Sequence, residues 1–193
     1  MKLYGSTTSP YARRLRLFMA EMEYEFINID VFGDDRTLLK EKNPTLKIPM
    51  LEDLDNATCP IIYDSGVIYQ YLVNKFKLSN LSITQQTQLA VIDACTDALL
   101  NMLFLARSGV DTTQDNLYFN AQRERTVTSL NQLEKLVSDK HIHEWDYVAI
   151  SLYCLVEWAE FRQLVDLSEY RNINAFMAVN DYHKGIKQTK PSA

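Results

Sequence analysis

The spacing of apolar positions changes character partway along the chain. Up to residue 77, short apolar runs alternate with helical ones. Lys2-Leu3-Tyr4-Gly5 reads as a strand. Ser9 at N-cap and Pro10 at N1 then open an amphipathic helix running to Met22. Over Glu25–Phe32, Ile27, Ile29 and Val31 alternate with Asn28 and Asp30, the period of a half-buried strand. Gly33-Asp34-Asp35 marks a turn, and Arg36 to Lys42 a short polar helix that Asn43-Pro44 ends. Lys47 to Leu51 is extended with Pro49 inside it, which suits a strand entrance or edge. Thr58 to Tyr63 predicts a strand returning antiparallel. Asp64-Ser65-Gly66 then opens a helix with Ile68, Tyr71, Leu72 and Phe76 at helical spacing. This order predicts a thioredoxin-like α/β domain over residues 1–77.

Beyond a linker at Leu78 to Ser82, strand signals stop. Leu89, Ile92, Leu99, Leu103 and Ala106 mark one face of a helix from about Thr84 to Arg107, ended by Gly109. A second helix runs from Leu117 to Val137. A third, capped by Asp146, continues to about Leu164 and is apolar nearly all round, as expected at the centre of a bundle. Ser168 is expected to cap a last helix with Ile173, Phe176 and Met177 inward, and Gln188 to Ala193 to form a loose tail. Residues 84–193 thus predict an all-helical domain, so the fold class is α/β followed by all-α.

Composition adds a few exclusions. A net charge of −5 argues against nucleic acid as a partner. Arg13-Arg14-Leu15-Arg16 is the one dense basic stretch, read as a local basic patch or as the outer turn of a helix. Cys59, Cys95 and Cys154 lack metal or disulfide spacing and fit a reducing compartment. His141 and His143 lack partners to complete a metal set. No leader sequence is expected, nor any apolar run of the ~20 residues a bilayer needs. The expectation is a cytoplasmic protein with no membrane, metal or cofactor requirement.

A strand, a tight turn and a helix start come together at Ser9, which makes an anion site with a hydroxyl in it. Ser9-Pro10-Tyr11 with Arg14 and Arg16 resembles the S-P-F-x-x-R-x-R start of serine-type glutathione S-transferases, such as the plant tau class and related bacterial-type members. Asn43-Pro44 with Lys47-Ile48-Pro49 resembles the N-P-x-x-K-[VI]-P segment of that family. Asp64-Ser65 resembles the [ED]-S pair that opens its third helix, and Asp146 sits where its buried bundle helix begins. Leu46 stands where many members carry glycine. Ala149 replaces the acid of the usual reciprocal cap.

The resemblance implies that glutathione is a co-substrate whose thiolate Ser9 stabilises for attack on a small hydrophobic electrophile. It implies a cis Pro49, a pairing of the Ile48 backbone with the cysteinyl part, and Asp64 and Ser65 at the γ-glutamyl end. Lys47, or less directly Arg36, would meet the glycyl carboxylate. Serine in place of cysteine excludes a mixed disulfide there. Tyr4 lies too early to replace Ser9. Thr7, Thr8, Tyr11, Phe104 and Arg107 are candidates for the electrophile pocket. The resemblance also implies a homodimer. The alternative is a weakly active or inactive relative that binds or regulates a partner.

Overall fold

The computed structural model describes residues 1–192. Two compact units emerge, Met1–Asn80 together with the segment from His183 onward, and Leu81–Tyr182. The chain thus changes unit a second time near the C-terminus, between Tyr182 and His183.

The first unit contains β1 (Lys2–Gly5), α1 (Pro10–Phe18), β2 (Glu25–Asn28), α2 (Arg36–Lys42), β3 (Met50–Glu52), β4 (Ile61–Tyr63) and α3 (Ser65–Phe76). The sheet order is β2-β1-β3-β4. β1 runs parallel to β2 and antiparallel to β3, and β3 and β4 are antiparallel. This is the thioredoxin-like arrangement that the apolar spacing predicts. Tyr4, Ile29 and Met50 form a core cluster, joined by Ile27, Val31, Leu38, Ile48 and Ile61.

Two strands are shorter than the alternation predicts, for identifiable reasons. β2 stops at Asn28 because the Asp30 carboxylate accepts the N–H groups of Phe32 and Gly33 and turns the chain. β4 starts only at Ile61 because Pro60 has no N–H for the ladder. Likewise α1 ends at Phe18, followed by tight turns to Met22.

The second unit holds α4 (Ile83–Arg107), α5 (Leu117–Ser138), α6 (Tyr147–Phe161) and α7 (Arg171–Asn180). Twelve of the fifteen residues of α6 are buried, as its all-round apolar sequence requires. Its N-terminus is closed by Asp146, whose Oδ1 accepts the N–H of Val148 and Ala149, both at 2.9 Å. The Asp146 Oδ2 accepts from Gln85 Nε2 at 2.7 Å. Gln85 also completes a capping box with Ser82 at the start of α4. One side chain thus joins two helix caps.

Three expectations are corrected here. Ser168 does not cap α7. That helix starts after Tyr170, and Glu134 of α5 accepts the N–H groups of Asn172 and Ile173. The start of the expected tail is not loose: Gln188 and Thr189 end α8 (Ile186–Thr189), which packs against α1 with Ile186 and Thr189 buried, while Ala193 lies outside the described residues. Lastly, α4 is long and apolar enough to cross a membrane by length and composition, although only 28% of its most apolar window is buried. Asp93 and Asp97, with Thr96 and Asn101, interrupt its apolar run without bringing down the average of the stretch.

Candidate functional site

Strand register determines which loops meet. Tyr4 faces Met50 across β1 and β3, and Met50 faces Tyr63 across β3 and β4. The end of β1, the start of β3 and the end of β4 therefore lie at one end of the sheet. The segments just outside them are the Ser9 turn, Ile48-Pro49 and Asp64-Ser65. Three stretches far apart in sequence are brought together by antiparallel pairing alone.

Ser9 is the N-cap of α1, in extended conformation, with its Oγ accepting the Ala12 N–H at 3.2 Å. The oxygen is used as an acceptor, and among the described residues its proton has no acceptor. An accepted hydrogen bond strengthens the hydroxyl as a donor. Tyr4 cannot take this part. Its hydroxyl donates to Glu52 Oε2 at 2.5 Å, and Lys42 Nζ lies 2.7 Å from Glu52 Oε1. Burial, and next the hydrogen bond to Glu52, push the Tyr4 phenol above the usual tyrosine value.

The peptide bond between Ile48 and Pro49 is cis. Buried Asn43 organises this loop: its Nδ2 donates to the Lys47 carbonyl at 2.8 Å, and its Oδ1 accepts from the Thr45 N–H and hydroxyl. Among the described residues, no hydrogen bond uses the Ile48 N–H or carbonyl. Lys47 is exposed. Leu46 has φ of 54°, the left-handed region where glycine is at ease, which gives a physical sense to the glycine of many family members. Arg36 donates to the Val31 carbonyl at 3.2 Å, so its guanidinium is partly engaged in closing the preceding loop.

Asp64 is also in a positive-φ conformation, at 76°, and is exposed. Its Oδ1 accepts the N–H groups of Gly66 and Val67 at 2.8 and 3.1 Å. Those two groups are therefore taken by the protein's own carboxylate, which narrows the expectation that the helix N–H groups bind an anion. Ser65 is buried, and its hydroxyl accepts from Arg14 Nη2 at 2.6 Å.

The basic stretch on α1 is neither a patch nor a solvated turn. Arg13 and Arg14 are 1% and 4% exposed. Arg13 donates to Thr189 Oγ1 and the Ile186 carbonyl of α8, and Arg14 to Ser65 at α3. Arg16 stacks over Phe26 at 4.0 Å. Each guanidinium ties the helix that carries Ser9 to a different neighbour. Sequence reasoning missed this because charge predicts exposure. The i,i+3 spacing of Tyr11 and Arg14, whose guanidinium lies 4.6 Å from the Tyr11 ring centre, was the available signal.

Residues 3–80 match the glutathione S-transferase N-terminal domain family. Over its whole length the chain has the glutathione S-transferase fold. A glutathione S-transferase from Methylobacillus flagellatus KT with glutathione bound superposes with a TM-score of 0.85, at 23% identity, covering 99% of each chain. Another from Methylobacterium radiotolerans, in complex with glutathione sulfonate, gives 0.83 at 20% identity, covering 100% of this chain and 95% of that one. An uncharacterized GST-like protein, YibF of Escherichia coli K12, is 29% identical over 178 residues, covering 85% of this chain and 84% of that protein.

Within this glutathione S-transferase fold, Ser9, Lys47, Ile48, Pro49, Asp64 and Ser65 all lie in the first unit at the end of the sheet described above, with Tyr11 half-buried in the first turn of α1. Phe104 and Arg107 lie in the second unit, near the end of α4. Phe104 lines an apolar cavity of about 460 Å³ with Asn101, Leu105, Ser108, Tyr118 and Phe119, and Arg107 does not line it. All three cysteines are free thiols. Burial pushes the Cys95 thiol up to about 12, which makes it inert at neutral pH. Cys59 is exposed in the β3–β4 hairpin.

Proposed function

We propose that the protein binds glutathione along the gathered end of the sheet and that Ser9 stabilises its thiolate for attack on a small hydrophobic electrophile. The observation that carries this reading is the Ser9 hydroxyl, fixed by Ala12 as an acceptor and left with a proton to donate. A free thiol has a pKa of ~8.5 and is only a few per cent ionised at neutral pH. A hydrogen bond to a charged acceptor is worth about 1.5–3 kcal/mol, which lowers a thiol pKa by roughly one to two units at ~1.36 kcal/mol per unit. The start of α1 adds in the same direction.

In this mechanism Ser9 donates a hydrogen bond and forms no covalent bond. The thiol proton goes to solvent, and the sulfur then forms a bond to the electrophilic carbon as the leaving group departs with its electron pair. Ile48 offers an unpaired backbone edge to the cysteinyl unit. Asp64 Oδ2 receives the α-ammonium of the γ-glutamyl end, Ser65 donates to its α-carboxylate, and Lys47 meets the glycyl carboxylate. Glutathione is a co-substrate here, with no resident cofactor. The glutathione carried by the Methylobacillus structure supports this reading.

The test is the ultraviolet absorbance of the bound thiolate across pH, with wild type and Ser9→Ala. Wild type is expected to lower the thiol pKa by one to two units, and Ser9→Ala to bind glutathione without that shift. Binding with no shift in wild type would leave a binding protein in place of a transferase.

A homodimer belongs to the same reading. Exposed apolar residues on α4 and α5, among them Ile83, Leu117 and Val127, are apolar surface that a second copy would cover. Sedimentation at micromolar concentration is expected to give a dimer, and a monomer would remove this part. The free cysteines suit the reducing cytoplasm.

A further inference from the structure

We infer that Arg107 and Arg162, at the ends of α4 and α6, form a binding site for the carboxylate of a small organic anion. The site lies wholly within the second unit and does not rest on the glutathione reading. Arg107 is the last residue of α4, Arg162 closes α6, and the two helices pack against each other. Burial, and next the charge of Arg107, push the Arg162 guanidinium below its ordinary value, so the two groups are near neighbours. Arginine nevertheless stays charged in proteins. Two like charges therefore share this corner of the bundle, and among the described residues no carboxylate forms an ion pair with either.

The Nε of Arg162 is buried and has no hydrogen-bond partner among the described residues. A buried donor without an acceptor is costly and calls for a reason. A basic side chain at a helix end commonly serves the free carbonyls there. Here the backbone serves them itself. The last carbonyls of α4 accept the N–H groups of Ser108, Gly109 and Val110, and those of α6 accept the N–H groups of Arg162, Gln163 and Leu164. Arg123 of α5, by contrast, donates to the Thr112 and Gln114 carbonyls. The Phe161 ring, its centre 4.7 Å from the Arg162 guanidinium carbon, covers one face of that group and leaves its N–H edge for a ligand. A carboxylate matches such an edge with two parallel hydrogen bonds and offsets both positive charges. The aromatic surface beside it favours an organic anion over a small, strongly hydrated one.

The test follows the Arg162 Nε–H resonance, assigned by its contact with the Phe161 ring, in proton–nitrogen correlation spectra of the full chain. Benzoate is added at constant ionic strength and without glutathione. Benzoate is expected to shift the resonance saturably, and benzamide, which has the same shape and no charge, to leave it in place at the same concentrations. Arg107→Met, a change at an exposed position, is expected to keep the fold and to weaken benzoate binding about tenfold, the lower end for one charged hydrogen bond. No saturable shift, an equal response to benzamide, or an unchanged benzoate affinity in Arg107→Met overturns the site. A saturable shift with inorganic phosphate and none with benzoate overturns an organic carboxylate as its ligand.

Discussion

Replacing Asp146 by alanine removes three hydrogen bonds at once. Its Oδ1 holds the Val148 and Ala149 N–H groups, and its Oδ2 holds the Gln85 amide. Loss of a helix N-cap alone costs about 1 kcal/mol, up to ~2. At an exposed helix start, water would replace part of it. Here Tyr147, Val148 and Ala149 are all buried, so water has poor access to the released N–H groups. Leaving the Gln85 amide without its partner adds about 1 kcal/mol, within the ~1–3 range for an unsatisfied polar group. The expected loss is about 2–4 kcal/mol, a large part of the ~5–15 kcal/mol that stabilises a typical domain. Urea unfolding followed by circular dichroism reads it as a lower midpoint at constant slope. Gln85→Ala alone is expected to cost about 1 kcal/mol, because the α6 cap survives it. The two substitutions together should cost less than their sum by roughly 1 kcal/mol, since the shared bond is lost only once. An Asp146→Ala protein within ~0.5 kcal/mol of wild type, or strict additivity of the pair, would refute the linked-cap account.

Other outcomes follow from single features of the structure. Deleting the chain after Tyr182 removes the Arg13 partners on α8 and uncovers α1, and is expected to cost about 3 kcal/mol in urea unfolding from lost apolar burial and charged hydrogen bonds. A truncated chain as stable as the whole would show α8 to be dispensable. Asp53 is buried and bonded by Tyr71 Oη at 2.6 Å and by Lys75. Burial pushes its carboxyl up, but the Lys75, Tyr71 and Asp55 backbone hydrogen bonds together outweigh it and the net shift is downward. A carboxyl held below its unfolded value stabilises the fold above that value, ~3.9, and loses the contribution as pH falls through the folded value. The stability gap between wild type and Asp53→Asn should therefore be constant from pH 5 to 7, by this linkage, and shrink below about pH 4. A gap that stays constant down to pH 2 would contradict this order-of-magnitude expectation.

Much of this protein is legible in sequence because its signals are local. Apolar spacing and capping residues near each boundary are enough to predict β1, α2, α3 and the long helices α4 to α6. Ser9 and Asp146 cap as their residue types require, since a short polar side chain reaches its own helix's N–H groups without help from elsewhere. The family motifs, likewise, are short and contiguous.

What sequence could not decide are the outcomes that depend on a distant partner. The start of α7 is closed by Glu134 of another helix, so the nearby Ser168 is left in a turn. The arginines of α1 are buried because α8 and α3 arrive with acceptors for them, and nothing within the helix announces those acceptors. The last residues pack because Gly185 crosses α1 beside Leu17 and Ala20, close enough that a Cβ there would sit 3.2 Å from the Leu17 side chain. Local propensity fixes which segments form helices and strands. Burial of charge and the sharing of caps are decided only when segments far apart in the chain meet, because only then does a buried donor acquire an acceptor.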